Sequence, residues 1–277
     1  MPSLELCVKQ KIESEYCRRK MFYQHEAERA YNGDPDSFPI CKRTPWERLV
    51  IWYSLFPEVE KKYHKLGVSE EIISDTLNEI PRLLEIYHQK TGKIGLSKEN
   101  VVWLRHIYHT QLLQIGSLQY QKFHMIYLDK EGCGEEYMSF SRSQKEKLPQ
   151  GAPVWNIHIP RDADLTVMSV RTSIDTAKRI LPNYFPEHHA GAFVCYSWLL
   201  YPDMRELLPE DSRILSFASE FEILASVKDP FGSDAVRRIY GKRYPRIEAY
   251  PQKTSLQRNA VGRFSKLGMA CGLIEIT

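Results

Sequence analysis

Two apolar runs, VWNIHIP at 154–160 and AFVCYSWLL at 192–200, flank a stretch with helical spacing, TVMSVRTSIDTAKRIL. In that stretch Val167, Val170, Ile174, Ala177 and Leu181 fall on one stripe, which predicts an amphipathic helix. Strand, polar loop, helix, strand is the pattern of a right-handed parallel β-α-β unit. Such a unit carries the loop after its first strand, here RDADL, to the C-terminal edge of the sheet. There the start of the following helix presents unpaired backbone N–H groups, a setting suited to an anion.

Upstream the period is helical. Leu4 to Ala30 is charged and amphipathic, and NGDPDSFP is a turn-rich break. Thr44-Pro45-Trp46-Glu47 has the form of a helix start, with Thr as N-cap, Pro in the first turn and Glu closing a capping box. Ser69-Glu70-Glu71 and Ser97-Lys98-Glu99 open two more helices. In the first, Ile72, Ile73, Leu77 and Ile80 form a stripe that Pro81 ends or kinks.

From Leu112 the period becomes two. Leu118, Tyr120, Lys122 and His124 alternate with Gln119, Gln121, Phe123 and Met125, and Gly116 stands where a bulge or bend is tolerated. DKEGCGEE reads as a turn and 138–151 as a polar loop or hairpin return. RILSFASEFEILASV reads as a strand, FGSDAVRRIYG and Thr254–Leu267 as helices, and GLIEIT as a terminal strand. Helices first, then mixed strands and helices, predict a helical N-terminal domain over 1–95 and an α/β or α+β domain over 96–277.

A chain of 277 residues, 43% hydrophobic and 26% charged, fits one large or two modest globular domains. No run of about 18 apolar residues is present, so no membrane span is expected. The first twenty residues hold no apolar signal region, so a cytoplasmic protein is expected. The six cysteines are scattered without a CxxC pair, as for reduced thiols. Only His106 and His109 have ligand-like spacing, without an acidic or Cys partner nearby, and no metal is assigned. Charge is uneven. Residues 237–266 hold nine basic side chains against one acid, a segment of +8 in a chain of +3, which leaves −5 on the rest. That segment is either a solvated basic face or a surface for polyanions.

The segments IGSLQY, VWNIHIP, TSIDTAKRILPNYFP, CYSWLLYP, LPEDSRILSFASEF and TSLQRN, in that order, resemble the two-domain bacterial GNAT-like acyltransferases. The motifs cover roughly residues 100–270. The resemblance implies a helical domain followed by a GNAT-like mixed sheet flanked by helices, with acetyl-CoA or another acyl-CoA as substrate. It implies that the pantetheine arm lies between two splayed strands, here 154–160 and 192–200. The cofactor-binding positions would be Ile157, Ile159, Arg161, Asp162, Ala163 and Asp164. The loop departs from the family's Arg/Gln-x-x-Gly-x-Gly/Ala form, because RDADL has no glycine and two acids. Asp162 and Asp164 repel a pyrophosphate if they face it. Either they point away, one of them capping the helix, or CoA binding is weak or lost.

Direct acyl transfer needs a base for the attacking group, a group that steadies the oxyanion, and an acid for the departing thiolate. His158, at the end of the first strand, suits the base, since imidazole titrates near neutrality. Ser197 and Tyr201 are the candidate acids. Cys195 paired with His158 is a candidate nucleophile, and Glu220 and Glu222 are alternative bases if they share a strand face. His188 and His189 read as a surface turn, and Tyr16, Tyr23, Trp46, Trp52 and Tyr53 as packing or a pocket lining. The expected activity is therefore acyl-CoA-dependent N- or O-acyl transfer to a small-molecule acceptor. The alternatives are a GNAT-like module without catalysis, and a nucleic-acid binder using 237–266 with Tyr240, Tyr244 and Tyr250. Oligomeric state is not legible.

Overall fold

A computed structural model describes residues 6–32, 42–134, 137–228 and 233–276. The expected break over 33–39 lies outside these residues, as does Cys41. The chain divides into two compact units, Met1–Ile115 and Gly116–Thr277.

The first unit holds α1 (Leu6–Arg18), α2 (Lys20–Tyr31), α3 (Pro45–Lys65), α4 (Glu70–Leu77), α5 (Glu79–Thr91), α6 (Lys98–Tyr108) and β1 (Leu112–Ile115). The predicted start of α3 is present in full. Thr44 Oγ1 accepts from Glu47 N at 3.2 Å, and Glu47 Oε2 accepts from Thr44 N at 3.0 Å. Ser97 and Asn100 make the same reciprocal cap on α6. The break before α5 falls at Asn78, and Pro81 sits in the first turn of α5, where its missing N–H has no partner to lose. Tyr23, Trp52, Tyr31, Tyr63 and Tyr108 are fully buried, and Tyr31 packs on both Trp52 and Tyr108 at 5.3 Å. Tyr23 and Trp52 are thus core residues. Helix α6 and β1, which the sequence pattern put in the second domain, make their contacts here. Tyr63 Oη donates to the carbonyls of Ile107 and Leu112 at 3.1 and 2.7 Å.

The second unit holds β2 (Leu118–His124), α7 (Lys130–Cys133), α8 (Arg142–Lys147), β3 (Pro153–His158), α9 (Val167–Tyr184), β4 (Ala192–Ser197), α10 (Arg213–Ala218), β5 (Glu222–Lys228), α11 (Ser233–Tyr240), α12 (Ser255–Ala260) and β6 (Gly268–Glu275). Its five strands form a sheet in the order β2-β3-β4-β6-β5. Strands β3 and β4 are parallel, and the other three pairings are antiparallel. The β3-α9-β4 unit is therefore the predicted crossover inside a mixed sheet.

Pleating sorts the sheet into two faces. Tyr120, Trp155, Ile157 and Phe193 look toward α9, where the Tyr120 and Ser173 hydroxyls are 2.9 Å apart. Val154, Val194, Cys271 and Leu273 look the other way, into a core closed by Met125, Tyr127, Met138 and Leu148.

Several elements differ from the pattern. Residues 213–227 are not one strand. Ser212 caps a helical turn with its hydroxyl, and the strand starts only at Glu222. Helix α12 stops at Ala260, because Val261 is extended and Gly262 has φ +73, outside helical space. The polar stretch 138–151 contains α8, capped by Ser141 and Gln144. Strand β4 ends at Ser197, whose Oγ accepts from Leu199 N at 3.2 Å and turns 198–200 into a 3-10 helix. Gly116 turns the chain between β1 and β2 with φ +58.

Candidate active site

The ladder between β3 and β4 is recorded at Trp155↔Phe193 and Asn156↔Val194, and it stops there. Each strand nevertheless runs on. β3 stays paired with β2 to Gln119↔His158, and β4 stays paired with β6 to Ser197↔Ala270. Two parallel neighbours that part while each keeps its outer partner leave a wedge, with Asn156 and Val194 at its apex. The wedge opens at the C-terminal edge, where the sequence pattern placed the site.

The loop beyond β3 is a tight turn in which Ala163 N donates to Pro160 O at 3.1 Å. Asp164 folds back onto the helix start, its carboxylate accepting from Thr166 N at 3.1 Å and from Thr166 Oγ1 at 2.9 Å. Those bonds, with Arg213 at 3.5 Å and the Ser169 hydroxyl, hold the Asp164 carboxyl below the usual carboxylate range. The Asp164 carboxylate thus bonds the residue that precedes α9, and no side chain caps the first turn of the helix itself. Arg161 and Asp162 are exposed on the turn, Ala163 and Ile159 are half-buried, and Ile157 is buried on the α9 face.

His158 projects to the face opposite α9. Its Nε2 lies 2.7 Å from Gln121 Oε1 and 3.3 Å from Asn156 Nδ2. Ser197 has the parity of Phe193 and lies on the α9 face, so the pleat does not bring it to His158. Tyr201 is buried in an apolar cluster with Met204, Leu207, Val236 and Tyr250. Burial raises its phenol above the ordinary value.

The phenol that shares His158's face is Tyr196, a position the sequence pattern gave no reason to select. Tyr196 Oη donates to Ile126 O at 2.5 Å, and burial pushes its pKa up. Gln121 and Asn156 were also missed. The alternation around Gln121 was legible, but its pairing with Asn156 becomes visible only once β2 and β3 are in register.

The remaining candidates are corrected. Cys195 is fully buried on the α9 face, away from His158, and burial pushes its thiol up, so it is not a ready nucleophile. Glu220 lies in the turn before β5 and is paired with Arg171 at 2.9 Å, so it shares no strand face with Glu222. His188 is not a surface residue. Its Nε2 lies 2.9 Å from Val154 O, its ring is edge-on to Trp155, and burial lowers its pKa. It borders a pocket of about 320 Å³ with Trp155, Lys178, Leu181, Phe185 and Phe193. That pocket lies at the end of α9 and the start of β4, the far end of the unit from the wedge. Among the described residues no group of three His, Cys, Asp or Glu is placed to hold a metal ion. No described helix is long and apolar enough to cross a membrane.

Residues 112–273 match the GNAT-like C-terminal domain family. The chain belongs to it. Residues 8–110 of this GNAT-like chain match the N-acyltransferase N-terminal domain. Among solved structures, an acyltransferase in complex with decanoyl-CoA is similar with TM-score 0.71 and 21% identity, over 92% of this chain and 76% of that one. An acyltransferase in complex with decanoyl-CoA and teicoplanin is similar with TM-score 0.70 and 20% identity over the same shares. At that identity the likeness shows the fold. A comparison with curated proteins finds no match.

Proposed function

We propose that this GNAT-like protein is an acyl-CoA-dependent acyltransferase that passes the acyl group directly to a small-molecule acceptor. The observation that carries this reading is the wedge between β3 and β4. It offers an arm the size of pantetheine an extended slot, with the start of α9 close to the phosphates. The similar structures hold decanoyl-CoA, which makes a medium-chain thioester a first choice of donor. In this reading His158 is the base. Tyr196, on the same face, joins Ser197 and Tyr201 as a candidate acid for the thiolate. Cys7, Cys17, Cys195 and Cys271 are free thiols, in keeping with the cytoplasm as the proposed location.

Calorimetric titration with CoA, acetyl-CoA and decanoyl-CoA tests the reading. Saturable binding of at least one thioester is expected, and no heat at millimolar ligand would overturn it. The Asp164 carboxylate at the start of α9 favours a second reading, a GNAT-like module that binds without turnover. Thioester consumption that depends on an added acceptor excludes it. The nucleic-acid reading loses two of its three stacking groups, because Tyr240 and Tyr250 are buried against each other and Phe264, while Tyr244 is half-buried.

A further inference from the structure

The pocket of about 320 Å³ beside His188 lies wholly in the second unit, at the far end from the wedge. Its floor is the aromatic rung of the β3–β4 ladder, Trp155 and Phe193, both buried and both turned toward α9. One wall is the last part of α9, and the other is the loop from Phe185 to Ala190. That loop is tied down, since His188 N donates to Phe185 O at 3.0 Å and Ala190 N donates to His188 O at 2.8 Å. The Phe185 ring packs on Trp155 at 5.4 Å, and the His188 ring stands edge-on to it at 4.8 Å. The walls are therefore set before any ligand arrives. A pre-formed, aromatic-lined space near the lower end of the size range for small-molecule sites fits one ring with a short side arm.

Two polar groups border this pocket without a partner. His188 is 6% exposed, and its Nε2 lies 2.9 Å from the Val154 carbonyl oxygen. A carbonyl oxygen only accepts, so Nε2 carries the proton and Nδ1 of the neutral ring is an acceptor. Burial lowers the pKa of this ring and keeps it neutral at neutral pH. Nearly all buried polar groups are hydrogen-bonded. Nδ1 of His188 has no such bond among the described residues, and it is not one of the sealed polar atoms, so solvent reaches it. Lys178 borders the same pocket from α9. It is half-buried and makes no ion pair among the described residues. An aromatic pit with one buried acceptor and one unpaired cation has the complement of a specific ligand: a flat ring, a hydrogen-bond donor and a negative charge.

We propose that this pocket is a second ligand site, for a hydroxylated aromatic carboxylate. The ligand ring packs on Trp155 and Phe185, where aromatic pairs gain beyond the area they bury. Its hydroxyl donates to His188 Nδ1, and its carboxylate accepts from the Lys178 ammonium. The site does not rest on the acyltransferase reading, because none of its groups belongs to the wedge.

Calorimetry and saturation-transfer NMR on the full chain, with para-hydroxyphenylacetate as the probe and no thioester present, test the site. Saturable binding is expected. para-Hydroxyphenylethanol, which lacks the carboxylate, is expected to bind about tenfold more weakly, and phenylacetate, which lacks the hydroxyl, about fivefold. Lys178→Met is expected to weaken the probe about tenfold and to bind para-hydroxyphenylethanol as the wild type does. Ala190→Phe adds a ring from the loop wall and is expected to abolish binding. No saturable binding of the probe at millimolar concentration overturns the site, and so does equal affinity for the three compounds. Unchanged binding in Lys178→Met, or in an Ala190→Phe protein whose thermal midpoint matches the wild type, puts the ligand elsewhere and overturns the assignment. Failure here leaves the acyltransferase reading standing, and failure to bind any acyl-CoA leaves this site standing.

Discussion

A thiol's reactivity is set by its surroundings more than by its identity, and Cys7, Cys17, Cys195 and Cys271 separate cleanly on that ground. Cys7 and Cys17 are exposed on α1, whereas Cys195 and Cys271 are buried on central strands. Burial pushes Cys271 up to about 12 and Cys195 up as well, so both stay protonated at neutral pH. An aromatic disulfide reagent is expected to modify Cys7 and Cys17 in the native protein. Cys195 and Cys271 are expected to react only after unfolding, as followed by mass spectrometry of peptides. Rapid native labelling of Cys195 contradicts its placement. The strand that ends at His158 was legible in the sequence, because an apolar run closed by a lone histidine stands out. The sequence hid which face His158 looks to. A side chain's face depends on where the strand starts its pleat, and His158 and Ser197, candidate base and acid, have opposite parity relative to the Trp155↔Phe193 rung.

At the scale of elements, caps were the most legible signals, because a cap is local and its partners lie three residues apart. Thr44 and Glu47 show this, and their pair has a definite pH dependence. Glu47 accepts from the Thr44 N–H and hydroxyl, which holds its carboxyl below the usual range. A lowered folded-state pKa contributes stability that is present above the unfolded value, near 4.5, and is lost as pH falls through the folded one. Glu47→Gln is expected to destabilise by about 1 kcal/mol at pH 7 and by progressively less below pH 4.5, measured by urea unfolding across pH. A gap that widens in acid contradicts the assignment. Short helices and helix ends outside a capping box were less legible. The run 213–227 alternates well enough to pass as a strand, and only the Ser212 hydroxyl on Ile214 N commits its first half to a helix. Thr254–Leu267 has a helical stripe throughout, yet Gly262 at φ +73 ends it early.

Strand contacts decide stability over the whole molecule at places that no period reveals. A Cβ on Gly268 falls 2.3 Å from the Val227 carbonyl oxygen and 2.6 Å from the Tyr201 ring. The oxygen is backbone, in a strand fixed by Lys228↔Gly268 and Val227↔Met269, and cannot step aside. Gly268→Ala is therefore expected to lower the thermal midpoint by several degrees or to prevent folding, where an exposed Gly134→Ala with open space costs only its backbone strain. Equal midpoints for the two variants contradict the close approach. The division into two units was legible in outline, as helices followed by a sheet. Its position was not, since α6 and β1 follow the chain into the first unit through contacts such as those of Tyr63.

Asp164 has a consequence for how the whole protein meets its substrate. Under the proposed function, a carboxylate tied to Thr166 just before α9 places a fixed negative charge beside the helix start that would receive the phosphates. The phosphates of the donor meet that charge at the same electropositive end, and the repulsion lowers the measured affinity. Asp164→Asn keeps the shape and the Thr166 contacts while removing the charge. It is expected to tighten CoA binding about three- to tenfold and to leave pantetheine binding unchanged, since pantetheine carries no phosphate. On that view the acid in the loop is an internal brake on donor occupancy, holding the protein empty at low thioester levels and admitting donor when supply rises.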